Sequence, residues 1–164
     1  MSKTDQNLQE AFAGESQANR KYMAFAEKAD KEGYLQIAKL FRAAAAAETV
    51  HALAHLKAMK GIGKTEENLQ AAISGETHEY ESMYPPMIET AAEEGHKLGE
   101  RSLRFANAVE KVHADLYKDA LEKMGDLEEA DYYVCKVCGH TVAGEPQEKC
   151  PVCGAAPKGF FKAE

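Results

Sequence analysis

Apolar side chains recur three and four residues apart over the first three quarters of the chain, the spacing that lines one face of an α-helix. Leu8, Phe12 and Tyr22 form one such stripe, and Leu69, Ile73 and Met83 form another. Each stripe runs toward a glycine, Gly33 or Gly95, and a second helical stretch follows it. The pattern predicts two helical hairpins that turn at those glycines. Thr4 and Thr65 are candidate N-caps, with acidic residues in the next turn, where the helix dipole favours them. Lys60-Gly61-Ile62-Gly63-Lys64 joins the hairpins. Pro85-Pro86 fall inside the third helix and predict a kink or local opening, because proline lacks the N–H that a helix interior uses. The run Ala43–Ala47 predicts a thin face that lets helices approach closely. Two hairpins, each with an apolar stripe to bury, make an antiparallel four-helix bundle.

The hairpins are copies of one another. Shifted by 61 positions, Thr4-Asp5-Gln6-Asn7-Leu8-Gln9 falls on Thr65-Glu66-Glu67-Asn68-Leu69-Gln70, and Gly14-Glu15 falls on Gly75-Glu76. After one inserted residue, Glu32-Gly33 falls on Glu94-Gly95. Arg42, Glu48, Val50, His51 and Ala52 then match Arg104, Glu110, Val112, His113 and Ala114. Residues 4–60 and 65–124 are two versions of one unit.

Duplication changes how the polar residues read. Glu48-x-x-His51 places a carboxylate and an imidazole on one helix face, and Glu110-x-x-His113 repeats it. A single glutamate is nearly always a solvated surface residue. Here, however, Glu15 and Glu48 lie roughly 27 and 23 Å from the Gly33 turn at helical rise, and Glu76, Glu79 and Glu110 lie at matching heights from Gly95. Five carboxylates converging inside a bundle would repel, so bound cations are needed to hold them together. Carboxylate with imidazole suits iron, manganese or zinc. One Glu from each of two helices, with Glu-x-x-His from each of the others, is the ligand pattern of ferritin-like di-iron and di-manganese sites. The copies differ at one position, since Glu79 aligns with Ala18. The extra carboxylate offers one metal a choice of ligand, Glu79 or, across the site, His51. Tyr22 and Tyr84 are expected beside the site, as core tyrosines or as donors to a bound oxygen species.

After Met124-Gly125-Asp126 the composition shifts to tyrosine, proline, glycine and cysteine. The expected domains are 1–126, the bundle, and 127–164, a small metal domain. Cys135-x-x-Cys138-Gly139 and Cys150-x-x-Cys153-Gly154 are two like knuckles that predict one tetrahedral thiolate site. A segment this short has little core, so metal must supply folding energy. Tyr132, Tyr133, Phe160 and Phe161 are candidates for an aromatic core around it. Four thiolates hold iron or zinc, and spacing does not choose between them. His55, His78, His96 and His140 lack matched partners and are not expected to be ligands.

Charge and length narrow the setting. The 164 residues carry a net charge of −7, which argues against nucleic acid or an anionic membrane as partner. No apolar run approaches the ~20 residues that span a bilayer. The polar N-terminus shows no signal peptide, so a cytoplasmic location is expected. Thiols in that reducing setting are metal ligands more readily than disulfides.

With both sites in hand, the whole chain resembles the rubrerythrin family, a ferritin-like di-iron bundle followed by a rubredoxin-like domain. The resemblance implies two non-haem irons bridged by Glu48 and Glu110, with Glu15 and Glu76 as terminal ligands. His113 would bind one iron, and the other would exchange Glu79 for His51 on reduction. Cys135, Cys138, Cys150 and Cys153 would hold a third iron, or zinc. The implied activity is reduction of hydrogen peroxide to water in oxidative-stress protection. Electrons would come from NADH through a separate reductase or rubredoxin, since no nucleotide-binding fingerprint occurs in the chain. A head-to-tail homodimer is also implied, with the thiolate site of one chain facing the di-iron site of the other. Two other readings stay open: a ferroxidase or iron-storage protein with a structural zinc ribbon, and a non-catalytic metal or interaction module.

Overall fold

The structure, a computed structural model, describes residues 2–163. The chain divides into two compact units, Met1–Gly63 and Lys64–Glu164.

The first unit is a hairpin of α1 (Lys3–Lys31) and α2 (Leu35–Ala58). Ser2, not Thr4, caps α1. Its hydroxyl accepts from the Asp5 N–H at 3.1 Å, while the Asp5 carboxylate accepts from the Ser2 N–H at 2.9 Å. Asp5 can close this reciprocal box only with the residue three before it, which leaves Thr4 inside the first turn. Gly33 turns the chain at φ 85°, a conformation that favours glycine, and the Tyr34 N–H reaches back to the Ala29 carbonyl at 2.9 Å. The helices meet along small residues. Ala38, Ala45 and Ala52 of α2, each seven apart, are buried with Ala26 and Ala29 of α1. That period keeps one thin seam against the neighbouring helix. Asn19 is the buried polar residue of the seam, and its amide donates to the Ala45 carbonyl at 2.7 Å and the Thr49 hydroxyl at 2.8 Å. Nearer the turn, Tyr22, Phe25 and Phe41 pack with ring centroids 5.6–6.3 Å apart.

The second unit opens with a helical run in three pieces: α3 (Thr65–His78), a π-turn (Glu79–Met83) and α4 (Tyr84–Glu93). Thr65 is not the cap either. It is the first helical residue, and the Lys64 N–H before it donates to the Glu67 carboxylate at 2.6 Å. In the π-turn the Tyr84 N–H bonds to the Glu79 carbonyl, five residues back. Pro85 and Pro86 then occupy the start of α4, where missing N–H groups cost least. This is the opening expected of the proline pair. It also explains the offset in the repeat, because a π-turn accommodates one inserted residue without ending the helix. After the Gly95 turn, the His96 imidazole caps α5 (Lys97–Glu122) by accepting from the Gly99 N–H at 3.0 Å. Ile88 and Ala91 of α4 and Val109 and Ala114 of α5 are buried.

The remainder of this unit is a small antiparallel sheet of order β2-β1-β3: β1 (Tyr132–Cys135), β2 (Thr141–Ala143) and β3 (Phe160–Lys162). Its core is Cys135, Cys150 and Phe160, with Tyr133, Val142 and Val152 packed against them. Tyr132 lines a cleft with His113 and is not part of that core, and neither is Phe161, 46% exposed. Strand alternation sends it to the opposite face from Phe160. Among the described residues, no helix is long and apolar enough to cross a membrane.

Candidate metal centres

Each helical unit brings together one glutamate and one Glu-x-x-His. In the first, the ligand atoms of Glu15 on α1 and Glu48 and His51 on α2 all lie within 4.8 Å of one another. In the second, Glu76 on α3 and Glu110 and His113 on α5 do the same. The internal geometry repeats with the sequence. His51 Nδ1 sits 2.9 Å from Glu48 Oε2, and His113 Nδ1 sits 2.9 Å from Glu110 Oε2. In both, Nδ1 is the ring nitrogen turned toward the carboxylates. The first triad is the more open: the His51 side chain is 56% exposed against 27% for His113.

The second triad shows the electrostatic signature of crowded carboxylates. Partial burial, then hydrogen bonding and repulsion from Glu110, push the Glu76 carboxyl above its ordinary value. Partial burial, with the charges of Glu110, Glu79 and Glu76, likewise raises the Tyr84 hydroxyl. Tyr84 therefore stays protonated beside these glutamates. Glu79, at the start of the π-turn, is half-buried and outside the triad. Tyr22 lies in the aromatic cluster with Phe25 and Phe41.

The four cysteines gather at one point in the small domain. Cys135 and Cys153 sulfurs are 3.6 Å apart, and those of Cys138 and Cys150 are 3.5 Å apart. These separations are far from a disulfide and close to the ~3.8 Å edge of a tetrahedron with 2.3 Å metal–sulfur bonds. Gly139 and Gly154 adopt φ 83° and 76°, and each N–H returns to the carbonyl of its knuckle's first cysteine at 2.9 Å. The turns aim backbone N–H groups at sulfur. Burial works to raise the Cys135 thiol, but donation from the Val137 and Cys138 N–H groups and contacts with Cys153 and Cys138 hold it below its ordinary value. Burial raises the Cys138 and Cys153 thiols. The donor set fits a tetrahedral thiophilic ion. His140 is not in it; its ring lies edge-on to Phe160.

One residue that the sequence did not single out joins these two groups within the second unit. Thr141, the first residue of β2, places its hydroxyl 3.1 Å from His113 Nε2 and donates to the Gly139 carbonyl at 3.1 Å. A continuous hydrogen-bonded path thus runs from the residue after Cys138 to the imidazole of the second triad. Gly139 also sits against Val109 of α5. A cleft of about 330 Å³ lined by Leu69, His113, Tyr117, Tyr132 and Thr141 opens beside the path. Within this unit the thiolate domain meets the second triad of its own chain.

The chain is similar to known proteins over nearly its whole length. The family model for rubrerythrin matches residues 6–121, and that for the rubrerythrin rubredoxin-like domain matches residues 133–162. Rubrerythrin-2 of Clostridium acetobutylicum is 36% identical, over 93% of this chain and 92% of its own. Nigerythrin of Nitratidesulfovibrio vulgaris is also 36% identical, over 98% and 86%. A solved structure of nigerythrin in its fully reduced, all-ferrous state aligns with a TM-score of 0.58 at 34% identity, covering 99% of this chain and 88% of that one.

Proposed function

The chain belongs to the rubrerythrin family, and from that premise we propose that it is a non-haem di-iron peroxidase. The two triads are read as halves of one centre. Glu15, Glu48 and His51, with Glu76, Glu110 and His113, would hold the two irons. The observation that carries the reading is the pairing of two like triads with a tetrathiolate knuckle hydrogen-bonded to one of them. When bound, two irons supply the two electrons that, with two protons, convert one hydrogen peroxide to two waters.

The chain's own residues do the rest. Glu79 is the spare carboxylate, free to replace His51 as a ligand. The Tyr84 hydroxyl, kept protonated by its acidic surroundings, donates a hydrogen bond to bound peroxide and is a source of protons. Tyr22, packed with Phe25 and Phe41, would be a further hydrogen-bond donor, from the first hairpin. The four cysteines hold an iron that supplies one-electron chemistry, and Gly139–Thr141–His113 is the short route from it to the bundle. The donor is a separate NADH-dependent reductase or a rubredoxin, acting in the cytoplasm on a homodimer. Residues 1–126 form the peroxidase part and 127–164 the electron-accepting part.

The experiment is anaerobic purification with iron and zinc counted, followed by mixing of the reduced protein with peroxide. About two electrons consumed per peroxide, and turnover with NADH and a reductase, support the reading. Zinc between the cysteines and no peroxide turnover would remove it and leave an iron-handling bundle with a structural ribbon.

A further inference from the structure

We propose that the face of the small domain carrying Lys136, Val137 and Lys158 is the docking surface for an acidic protein that donates electrons one at a time. The proposal rests on the electron-accepting reading of the four-cysteine site above; it adds where the donor binds and what charge it carries.

Charge is segregated along the small domain. The chain has 27 acidic residues and a net charge of −7. None of the acids falls in 132–144 or 150–163, the two segments that carry the knuckles, whereas Lys136, Lys158 and Lys162 do. Glu128, Glu129 and Asp131 precede the first knuckle, Glu145 and Glu148 lie between the two, and Glu164 ends the chain.

The fold keeps two of the lysines clear of carboxylates. Lys162 pairs with Asp131 at 2.7 Å, and Lys149, just before Cys150, lines a cleft with Glu145 and Glu148. Lys136 and Lys158 are exposed and, among the described residues, form no ion pair. The Lys136 N–H donates to the Gly159 carbonyl at 2.9 Å, which ties the first knuckle to the single 3-10 turn Pro157–Gly159. The two lysines therefore stand on adjoining segments. Val137, beside Lys136, is 52% exposed. An exposed apolar side chain rimmed by charge has the make-up of a protein contact.

The position of the sulfurs says what the contact is for. Cys135 and Cys150 are buried, whereas Cys138 and Cys153 are partly exposed. Lys136 and Val137 fill the loop between Cys135 and Cys138. Beyond Cys138, Gly139 and Thr141 turn instead to Val109 and His113 of α5. One part of the knuckle thus faces the helices and another faces solvent. Electrons enter over 136–137 and leave through 139–141. An acidic carrier is repelled by most of this chain and attracted to the lysines, which both speeds encounter and orients it. A basic carrier would be drawn to the acidic remainder.

The test mixes iron-loaded protein anaerobically with a reduced acidic flavodoxin and follows bleaching of the thiolate iron by stopped flow. In wild type the second-order rate constant should fall roughly tenfold or more between about 0.02 and 0.5 M salt. Lys136→Gln with Lys158→Gln should lower the low-salt rate roughly tenfold and flatten the salt dependence. Reduction by the methyl viologen radical cation should not slow in that variant. Lys21→Gln with Lys39→Gln removes the same net charge from α1 and α2, and should leave the flavodoxin rate within about twofold of wild type. A readout without electron transfer uses zinc-loaded protein and oxidised flavodoxin, where the amide chemical shifts of Lys136, Val137 and Lys158 should move. A wild-type flavodoxin rate in Lys136→Gln with Lys158→Gln, an equal loss in Lys21→Gln with Lys39→Gln, or shifts that move elsewhere would overturn the docking alone. No bleaching by either donor would overturn the electron-accepting reading and the docking with it.

Discussion

Thr141→Val is the sharpest perturbation of the proposed electron route. Valine keeps the β-branch and the strand position and removes only the hydroxyl. Two hydrogen bonds go with it, His113 Nε2 to Thr141 Oγ1 and Thr141 Oγ1 to the Gly139 carbonyl, both 3.1 Å. Each contributes about 0.5–1.5 kcal/mol net. The neighbouring cleft admits water to the freed imidazole N–H, so global stability should fall by no more than ~2 kcal/mol. The larger effect is on the metal. An imidazole ligand is oriented by the partner of its other nitrogen, and loss of that partner typically costs 10–100-fold in affinity. Iron affinity of the bundle, read by competition with a chelator, should drop within that range. Reduction of the bundle by the thiolate site, followed by stopped-flow absorbance, should slow as well, while Thr141→Ser restores both. Wild-type affinity and wild-type internal reduction in Thr141→Val would refute the route.

Glu79→Ala should retain iron but lose most peroxide turnover, because the triads stay complete while the spare carboxylate is gone; unchanged kcat would remove its proposed role. Cys150→Ser should leave the helical bundle folded, by circular dichroism, and stop reduction by the external donor; full NADH-linked activity would make the small domain dispensable. Asn19→Leu should cost about 1–3 kcal/mol in urea unfolding without altering metal content, since it strips the buried hydrogen bonds of the α1–α2 seam. The raised Glu76 carboxyl sets a pH dependence in metal-free protein. As pH falls through its raised value toward the ordinary 4.5, the folded state takes up the proton before the unfolded state does. That stability is lost at higher pH, where the group is charged in both states. A Tm that rises on acidification across this window in wild type, but not in Glu76→Gln, is expected; parallel profiles would contradict it.

The hairpins were legible because helical period and left-handed turn glycines are local properties, and Gly33 and Gly95 do turn the chain. The triads were legible only through duplication, since a lone Glu-x-x-His carries little weight. The thiolate site followed from spacing alone. The helix caps were missed by one or two residues. Ser2 and Lys64 are fixed by which acidic side chain reaches back, a choice among several candidates that a linear reading does not resolve. Phe161 was misplaced because its strand is only three residues long, too short to display its alternation. Thr141 carried no signal at all. It matters because the fold brings it, 28 residues on in sequence, to His113.

The proposed ligand exchange rests on a departure from symmetry between the two copies. Two perfect copies of the hairpin would give two equal triads and equivalent metals, with no reason for either to change ligand. The second copy breaks this in one short stretch. It adds Glu79 where the first copy has Ala18, and it inserts one residue between there and its turn glycine. An α-helix cannot absorb one residue without rotating everything beyond it by about 100°. The π-turn at Glu79–Met83 takes up that rotation, and the proline pair after it tolerates the widened turn because it needs no N–H partners there. The helix beyond therefore keeps its buried face, Ile88 and Ala91 included, while the turn itself carries Glu79 at its start. Insertion, proline pair and extra glutamate are thus one device, and removing any one of them alone should disturb the other two.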